Sequence, residues 1–505
     1  MELELNKVHL TGYETVLETT AFREETLETI VPDAGPDILR LIDTQGMVFL
    51  KGKAATDGRV VLTGTARLTV LYQPDGGTGP CRMEVAIPFN LAAEDPRIKS
   101  GCTVSAVPRL VSAETRTANP RKVITRVEIA ADLKVYMTKS SVVSAAVSAT
   151  DGTVEQRKES RQISMIAAVQ EKQITFEDDL SIPAGRPAAQ ELMGSRVELQ
   201  CRETKLIGNK LVFKGDAQVR LLYRPEGGGV DATDFVLPFS QITEVIGVGE
   251  ESGCSVEMAL SGAEFVLGGD GRTVSASLNM LAQVAIREER SIELLTDAYS
   301  VCAPVRADLC DFEYQLCQTE GTGRQTVREV IETGMQIKTV VDSFCTMGRV
   351  TRQREAGQLR LGVQLTVNAL CLTGDDEYGT VFRSMDVGCL VDVPEDCSCQ
   401  FSCVCSNMVA SPTADGVEVR FQLDFPYCAV RTVKAVVVEG VTVEPVREED
   451  MLRRPSIVLC VVEEGEQLWG VAKRYATAVE DIVKLNELES EQITGGMLLL
   501  IPKKR

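Results

Sequence analysis

The side chains that could do chemistry here are cysteines and carboxylates; histidine is all but missing. His9 is the single histidine of the 505-residue chain. One terminal imidazole cannot build a His-rich metal site, and it is a poor base for a Ser-His-Asp or Cys-His pair. The sequence also has no G-x-x-x-x-G-K-[ST] loop and no G-x-S-x-G elbow, so phosphate-cradling and nucleophile-elbow chemistry are not expected. Carboxylate-only glycosidase chemistry stays open, because 73 Asp and Glu could hide a suitably spaced pair. Those carboxylates set the formal charge at −20. Such a balance disfavours nucleic acid and anionic membrane as bulk partners. The local exception, Lys503-Lys504-Arg505, reads as a solvated end.

The sixteen cysteines include a run, Cys397-Ser398-Cys399-Gln400-Phe401-Ser402-Cys403-Val404-Cys405, that resembles a ligand set. In a strand, residues two apart share a face, so Cys397, Cys399, Phe401, Cys403 and Cys405 would point one way. The outer two would then lie roughly 26 Å apart at about 3.3 Å per residue. Two ligands of one zinc ion lie no more than about 4.6 Å apart, so one strand cannot deliver all four thiols to one ion. The expectation is a buried core face, with cysteine packing as a small hydrophobe; oxidative cross-linking and a metal are the lesser alternatives. No cofactor is expected. The N-terminus MELELNKVHL lacks the basic and apolar regions of a signal peptide, and no apolar run is long enough for a transmembrane helix. The chain is therefore expected to stay where it is made, with its thiols reduced.

The elements around these residues repeat. Val60–Tyr72 followed by Pro74-Asp75-Gly76-Gly77 matches Leu211–Tyr223 followed by Pro225-Glu226-Gly227-Gly228. A looser third copy runs Leu359–Leu370, then Gly374-Asp375-Asp376. This alignment pairs Gly64, Gly215 and Gly362, and pairs Tyr72, Tyr223 and Leu370. Downstream, Ile87-Pro88-Phe89 matches Leu237-Pro238-Phe239, and Cys102, Cys254 and Cys397 align. Alternating apolar residues, β-branched content and Pro-x-Gly-Gly turns predict five or six antiparallel strands per copy, folded as a small sheet or sandwich. The expected division is a first copy over 1–140, a linker over 141–190 and a second copy over 191–300. A third copy over 301–443 and a polar linker over 444–455 follow.

Residues 456–505 change character. Ser456–Val462 is a short apolar strand. Leu468, Trp469, Val471, Ala472 and Tyr475 recur at helical spacing, as do Val479, Ile482, Val483 and Leu485. Met497–Ile501 closes the segment, giving strand–helix–helix–strand.

This segment resembles a LysM domain, on Val461-Val462, Gly465, Leu468-Trp469, Ala472–Tyr475, Val479, Ile482, Leu485-Asn486, Gly495-Gly496 and Leu498–Pro502. The resemblance implies a groove for N-acetylglucosamine glycans between the loops Gly465–Leu468 and Asn486–Ile493. Its site residues would be Gly465, Glu466, Gln467, Leu468, Trp469, Asn486, Leu488 and Ile493. Glu466-Gln467 replace the family's usual Asp-Thr, which weakens the first helix cap. Trp469 is either helix core or a partner anchor. The β-copies resemble SPOCS domains, and the whole arrangement resembles the SipL-type coat morphogenetic proteins of clostridia. That implies a mainly β, non-enzymatic adaptor in the mother-cell cytoplasm, at the forespore surface within the spore coat. The implied partners are the stage IV sporulation coat ATPase, bound through the LysM domain, and other coat proteins. The rival reading is a binder of peptidoglycan or a lipid-linked wall precursor.

Overall fold

The computed structural model describes residues 2–77, 79–150, 153–444 and 456–502. The expected linker over 444–455, apart from Glu444, lies outside the described residues, as do Asp151-Gly152 and the basic tail 503–505.

The chain is mainly β, with three copies of one unit before a small terminal module. Copy one holds β1 (Leu3–Ile30), β2 (Ile38–Thr56), β3 (Arg59–Pro74), β4 (Cys81–Glu94), β5 (Thr103–Asn119) and β6 (Lys122–Ala149). Copy two holds β7 (Val154–Ser181), β8 (Ala189–Ile207), β9 (Lys210–Pro225), β10 (Asp231–Glu244), β11 (Gly253–Leu267) and β12 (Thr273–Ser300). Copy three holds β13 (Val305–Glu332), β14 (Ile337–Glu355), β15 (Gln358–Thr373), β16 (Tyr378–Val391), β17 (Cys397–Phe401), β18 (Val404–Pro412) and β19 (Gly416–Val443). In each copy the long first and last strands pair along their whole length, and a three-stranded meander packs across them. The alternating inward faces of these two layers form one core per copy.

The first four strands have 28, 19, 16 and 14 residues in every copy. This regularity corrects the sequence alignment in three places. Residues 141–190 are no linker: they complete β6, form all of β7 and open β8. The charged run Glu155–Arg161 misleads because β7 keeps a wet face there while its backbone pairs with β12. Second, the sixth residue of β15 is Val363, so Val363, not Gly362, takes the place of Gly64 and Gly215. Cys371, not Leu370, takes the place of Tyr72 and Tyr223. A one-residue slip matters in a strand because it exchanges the two faces. Third, Cys254 pairs with Ile286, the position held by Val104 opposite Val135 and by Cys399 opposite Ala429. Cys102 and Cys397 are therefore not its counterparts.

The Gly and Phe marks of copies one and two are physically linked. Gly64 pairs with Phe89 and Gly215 with Phe239, and in each case the ring, together with a carbonyl of the neighbouring strand (Phe49 or Gln200), crowds the place where a glycine Cβ would stand. In copy three, Val363 faces Val387, and both marks vanish together.

The three copies meet around a pseudo-threefold axis. At one end the equivalent residues Val143, Leu294 and Val437 join one apolar cluster. At the other, Leu71, Leu222 and Leu370 join another, with Ile42, Met193 and Val341. Equivalent bulges at Val16, Ala167 and Gln318 bend the long strands where they come together. Gly12 lets β1 approach β7, since a Cβ there would strike Met165 and the Ile166 carbonyl.

Charges lock the axis. Asp342 of copy three is 1% exposed and accepts from Arg196 at 3.0 Å and Arg220 at 3.0 Å, both of copy two. Arg196 also donates to Gln45 of copy one at 3.1 Å and lies 4.3 Å from the centre of the Phe344 ring. Asp43 is the copy-one equivalent of Asp342. Burial pushes its carboxyl up to about 6, and the nearby Asp342 charge adds to this, against a 3.0 Å bond from the Thr380 hydroxyl. The folded protein thus holds a proton that the unfolded chain releases. The stability this gives is complete below about pH 4 and is lost as pH rises through about 6. Asp43→Asn should therefore raise the denaturation midpoint at about pH 8 and change it little at about pH 4. Chemical denaturation at both pH values checks this, and an equal effect at both would contradict it.

Candidate partner-binding site

The terminal module comprises β20 (Ile457–Val461), α1 (Leu468–Tyr475), α2 (Val479–Leu485) and β21 (Leu498–Pro502). It follows the expected order. Leu468, Val471 and Ala472 of α1 and Val479 and Ile482 of α2 meet Cys460, Leu499 and Ile501 from the strands. Tyr299 and Val301, from the end of copy two, complete the same cluster. A module of this size has little core of its own, so this borrowed surface matters.

α1 carries the junction. Trp469 and Lys473 lie one turn apart and both reach Asp297 of β12. The Trp469 Nε1 donates to Asp297 Oδ2 at 2.8 Å, and Lys473 Nζ meets Oδ1 at 2.6 Å. The Tyr299 ring stands edge-on to the indole, with centroids 5.0 Å apart at 70°. Its hydroxyl donates to the Thr477 carbonyl at 2.8 Å. Burial first, then Glu155 and Asp297, hold the Tyr299 phenol well above its ordinary range, so it remains a donor. Arg157 of β7 donates to the Gln467 Oε1 at 3.0 Å. The positions equivalent to Asp297 are Ala146 and Gly440, and those equivalent to Tyr299 are Ser148 and Thr442. Only copy two therefore offers this seat.

The eight expected groove residues have divergent fates. Gly465 is an exposed turn residue at φ 79°. Glu466 is held by Arg474 and by the Glu463 N–H at 3.1 Å. Gln467 caps α1 only by position, without a side-chain cap bond, as the Glu-Gln departure implied. Leu468 is 1% exposed and fills the core, so it cannot line a groove. Trp469 serves as an anchor, but within the chain. Asn486 donates to the Leu500 carbonyl at 2.7 Å and accepts from its N–H at 2.7 Å, stapling α2 to β21. Leu488 and Ile493 are half-buried against the module core.

The sequence reading overlooked the outer face of the two strands. Ile457, Leu459, Val461, Leu498 and Leu500 are 56%, 60%, 60%, 56% and 40% exposed. Leu459 pairs with Leu500 and Val461 with Leu498, so they form one apolar patch. The signal was available: Ile457–Val461 is apolar at every position, whereas a strand with one wet face should alternate. Burying each such side chain is worth about 1.5–3 kcal/mol, so the patch favours a protein contact.

The cysteine run lies elsewhere, against the core of copy three. Cys397, Cys399, Phe401, Cys403 and Cys405 all face that core, as expected. They do not share one strand: pairing stops at Ser402, whose N–H turns to the Pro426 carbonyl at 3.1 Å. Burial pushes the Cys399 thiol up to about 11 and Cys403 to about 12, which suits packing rather than reactivity. Among the described residues, no three of His, Cys, Asp and Glu are placed to hold a metal ion.

Residues 188–267 match the family model of the SipL SPOCS domain, and residues 460–502 match that of the LysM domain. The chain is a SPOCS-plus-LysM protein. The SPOCS match falls on copy two, the copy that seats the LysM domain. No curated protein and no solved structure matches the chain. The two domain types mark a sporulation-related protein with a module of the peptidoglycan-binding kind, and both are non-catalytic binding families. No helix among the described residues is long and apolar enough to cross a membrane.

Proposed function

We propose that this protein is a non-enzymatic adaptor of spore morphogenesis. It works in the mother cell, at the forespore surface, and ties outer coat layers to a basement layer. Its LysM domain binds the coat basement-layer ATPase, and the three fused copies are the rigid body that carries the module. The observation that carries this reading is the exposed Ile457–Leu459–Val461–Leu498–Leu500 face, next to a sugar groove whose residues serve the protein's own fold. Gln467 and Trp469 seat the module on copy two, Asn486 staples its strand, and Leu468 is buried. Such a groove offers a glycan little, while an apolar two-stranded face suits a protein.

The test is co-sedimentation of the full-length protein with the polymerised ATPase, and separately with purified peptidoglycan. Leu459→Glu combined with Leu500→Glu should weaken capture by the ATPase about tenfold or more, a loss of at least about 1.4 kcal/mol. Tryptophan emission should stay unchanged, because the substitutions lie away from Trp469. Wild-type capture by peptidoglycan but not by the ATPase would overturn the proposal in favour of wall or wall-precursor binding.

A further inference from the structure

Ten of the sixteen cysteines fall within copy three, between Val305 and Val443. Most face its core, but two do something different. The Cys317 Sγ of β13 and the Cys428 Sγ of β19 lie 3.7 Å apart, across the two long strands. They are not direct partners in the ladder: Cys317 registers with Val430, and Cys428 with Glu320. In a regular ladder such an offset leaves side chains too far apart for a bridge, since linked cysteines need Cα atoms within about 7 Å. The bulge at Gln318, between Cys317 and Thr319, is what swings the two thiols together.

The other copies show that the fold itself does not require this pair. The positions of Cys317 and Cys428 are held by Thr15 and Lys134 in copy one, and by Ile166 and Ala285 in copy two. The same bulge is present there without thiols. Copy three has a cysteine at both positions at once, which core packing alone would not demand. Both are half-buried, so a small reagent can reach them.

The geometry points to Cys317 and Cys428 as a dithiol that closes to an intrachain disulfide when the protein meets a low-molecular-weight disulfide. The exchange balances without any other reagent. The thiolate of one cysteine of the pair attacks one sulfur of the small disulfide, forming a mixed disulfide and expelling a thiolate. The thiolate of the other then attacks the sulfur of that first cysteine, forming the protein S–S bond and expelling the second thiolate. The protein pair is oxidised by two electrons and the small disulfide is reduced by two. The two protons lost by the cysteines end on the two released thiols. Burial first, then the adjacent Cys428 and Glu320, push the Cys317 thiol up, so it is slow to ionise. In a reducing compartment the pair stays open, and oxidising surroundings close it. The bridge would join β13 to β19 near their middle, where β13 also meets β7 through Gln315 and Ser164.

The experiment uses the reduced full-length protein, oxidised glutathione as the probe, and rapid alkylation before digestion and mass spectrometry. The expected result is one dominant linked peptide pair, Cys317 to Cys428, formed at a rate that does not change when the protein alone is diluted tenfold at fixed glutathione. The oxidised protein should unfold at higher denaturant than the reduced one, a difference that Cys317→Ser abolishes. In that variant the mixed glutathione adduct should accumulate on Cys428. Wild-type protein in which both thiols remain alkylatable, or in which either links to a different cysteine or to a second chain, would overturn the assignment.

Discussion

Asp342→Ala should lower the stability of the SPOCS body by about 3–5 kcal/mol, the largest effect expected of any single substitution here. The reason is what remains behind. Asp342 is fully buried and serves two guanidinium groups, Arg196 and Arg220, whose side chains are only 13% and 22% exposed. Removing the carboxylate leaves two largely desolvated cations at the junction of all three copies. Arg220 would keep the exposed Asp234 and the Val341 carbonyl, at 2.8 Å for the latter, while Arg196 would keep Gln45, the Ser343 carbonyl and a long pair with the exposed Glu198 at 3.8 Å. Neutral acceptors and solvent-screened carboxylates compensate a buried charge poorly. Burial alone would push the Asp342 carboxyl up, but Arg196 and then Arg220 reverse this and hold it below its ordinary range. Its contribution is therefore complete above the unfolded value of about 4 and is lost as pH falls through the folded one. This is the opposite sense to Asp43. Denaturant titration at neutral pH measures the loss. The variant should also lose less stability on acidification than the wild type. A midpoint within error of wild type would show that the copies do not depend on this charge.

The periodicity of the copies was legible because each strand buries one face, so apolar alternation survives in the residue order. The Gly64–Phe89 and Gly215–Phe239 pairs were visible as marks before their meaning was, since a ring and a backbone carbonyl together crowd the space of one missing Cβ. Copy three misled by a single residue for the same reason. Its Val363–Val387 pair carries no mark, and Gly362, next door, drew the alignment to itself. The expected linker at 141–190 failed for a different cause. Residues in β6 and β7 answer to the axis between copies as well as to their own core, so polarity there does not follow a simple alternation. The charged axis itself was invisible. Asp43, Gly194 and Asp342 are equivalent positions with unlike residues, and nothing in the order of residues says that they converge. For the LysM domain, its fold and its weak N-cap could be read from the residue pattern. Its seat could not, because Asp297 and Tyr299 lie far from it in the chain.

That seat sets the second large effect. Asp297→Ala should free the LysM domain from copy two at a cost of about 2–4 kcal/mol. The charge-assisted bond from the indole supplies most of this, at about 1.5–3 kcal/mol. The Lys473 pair adds little, since its side chain is 41% exposed and solvent screens it. Trp469 is the only tryptophan, so its emission reports the junction alone. In the wild type the indole is half-buried against Tyr299 and hydrogen-bonded; in the variant it should face water and shift to longer wavelength. The far-ultraviolet spectrum should stay close to that of the wild type, because the long strands of the three copies dominate it. Trp469→Phe separates the two parts of the contact: it keeps an aromatic edge for Tyr299 and loses the bond to Asp297, so it should cost less than Asp297→Ala. An emission spectrum that does not move in Asp297→Ala would mean that the indole is held by the LysM domain itself. The junction would then be too weak to fix where the apolar face of β20 and β21 points. If the shift occurs and capture of the ATPase also falls, the seat orients the binding face. If capture persists, the face acts wherever its tether carries it, and the SPOCS body serves other contacts.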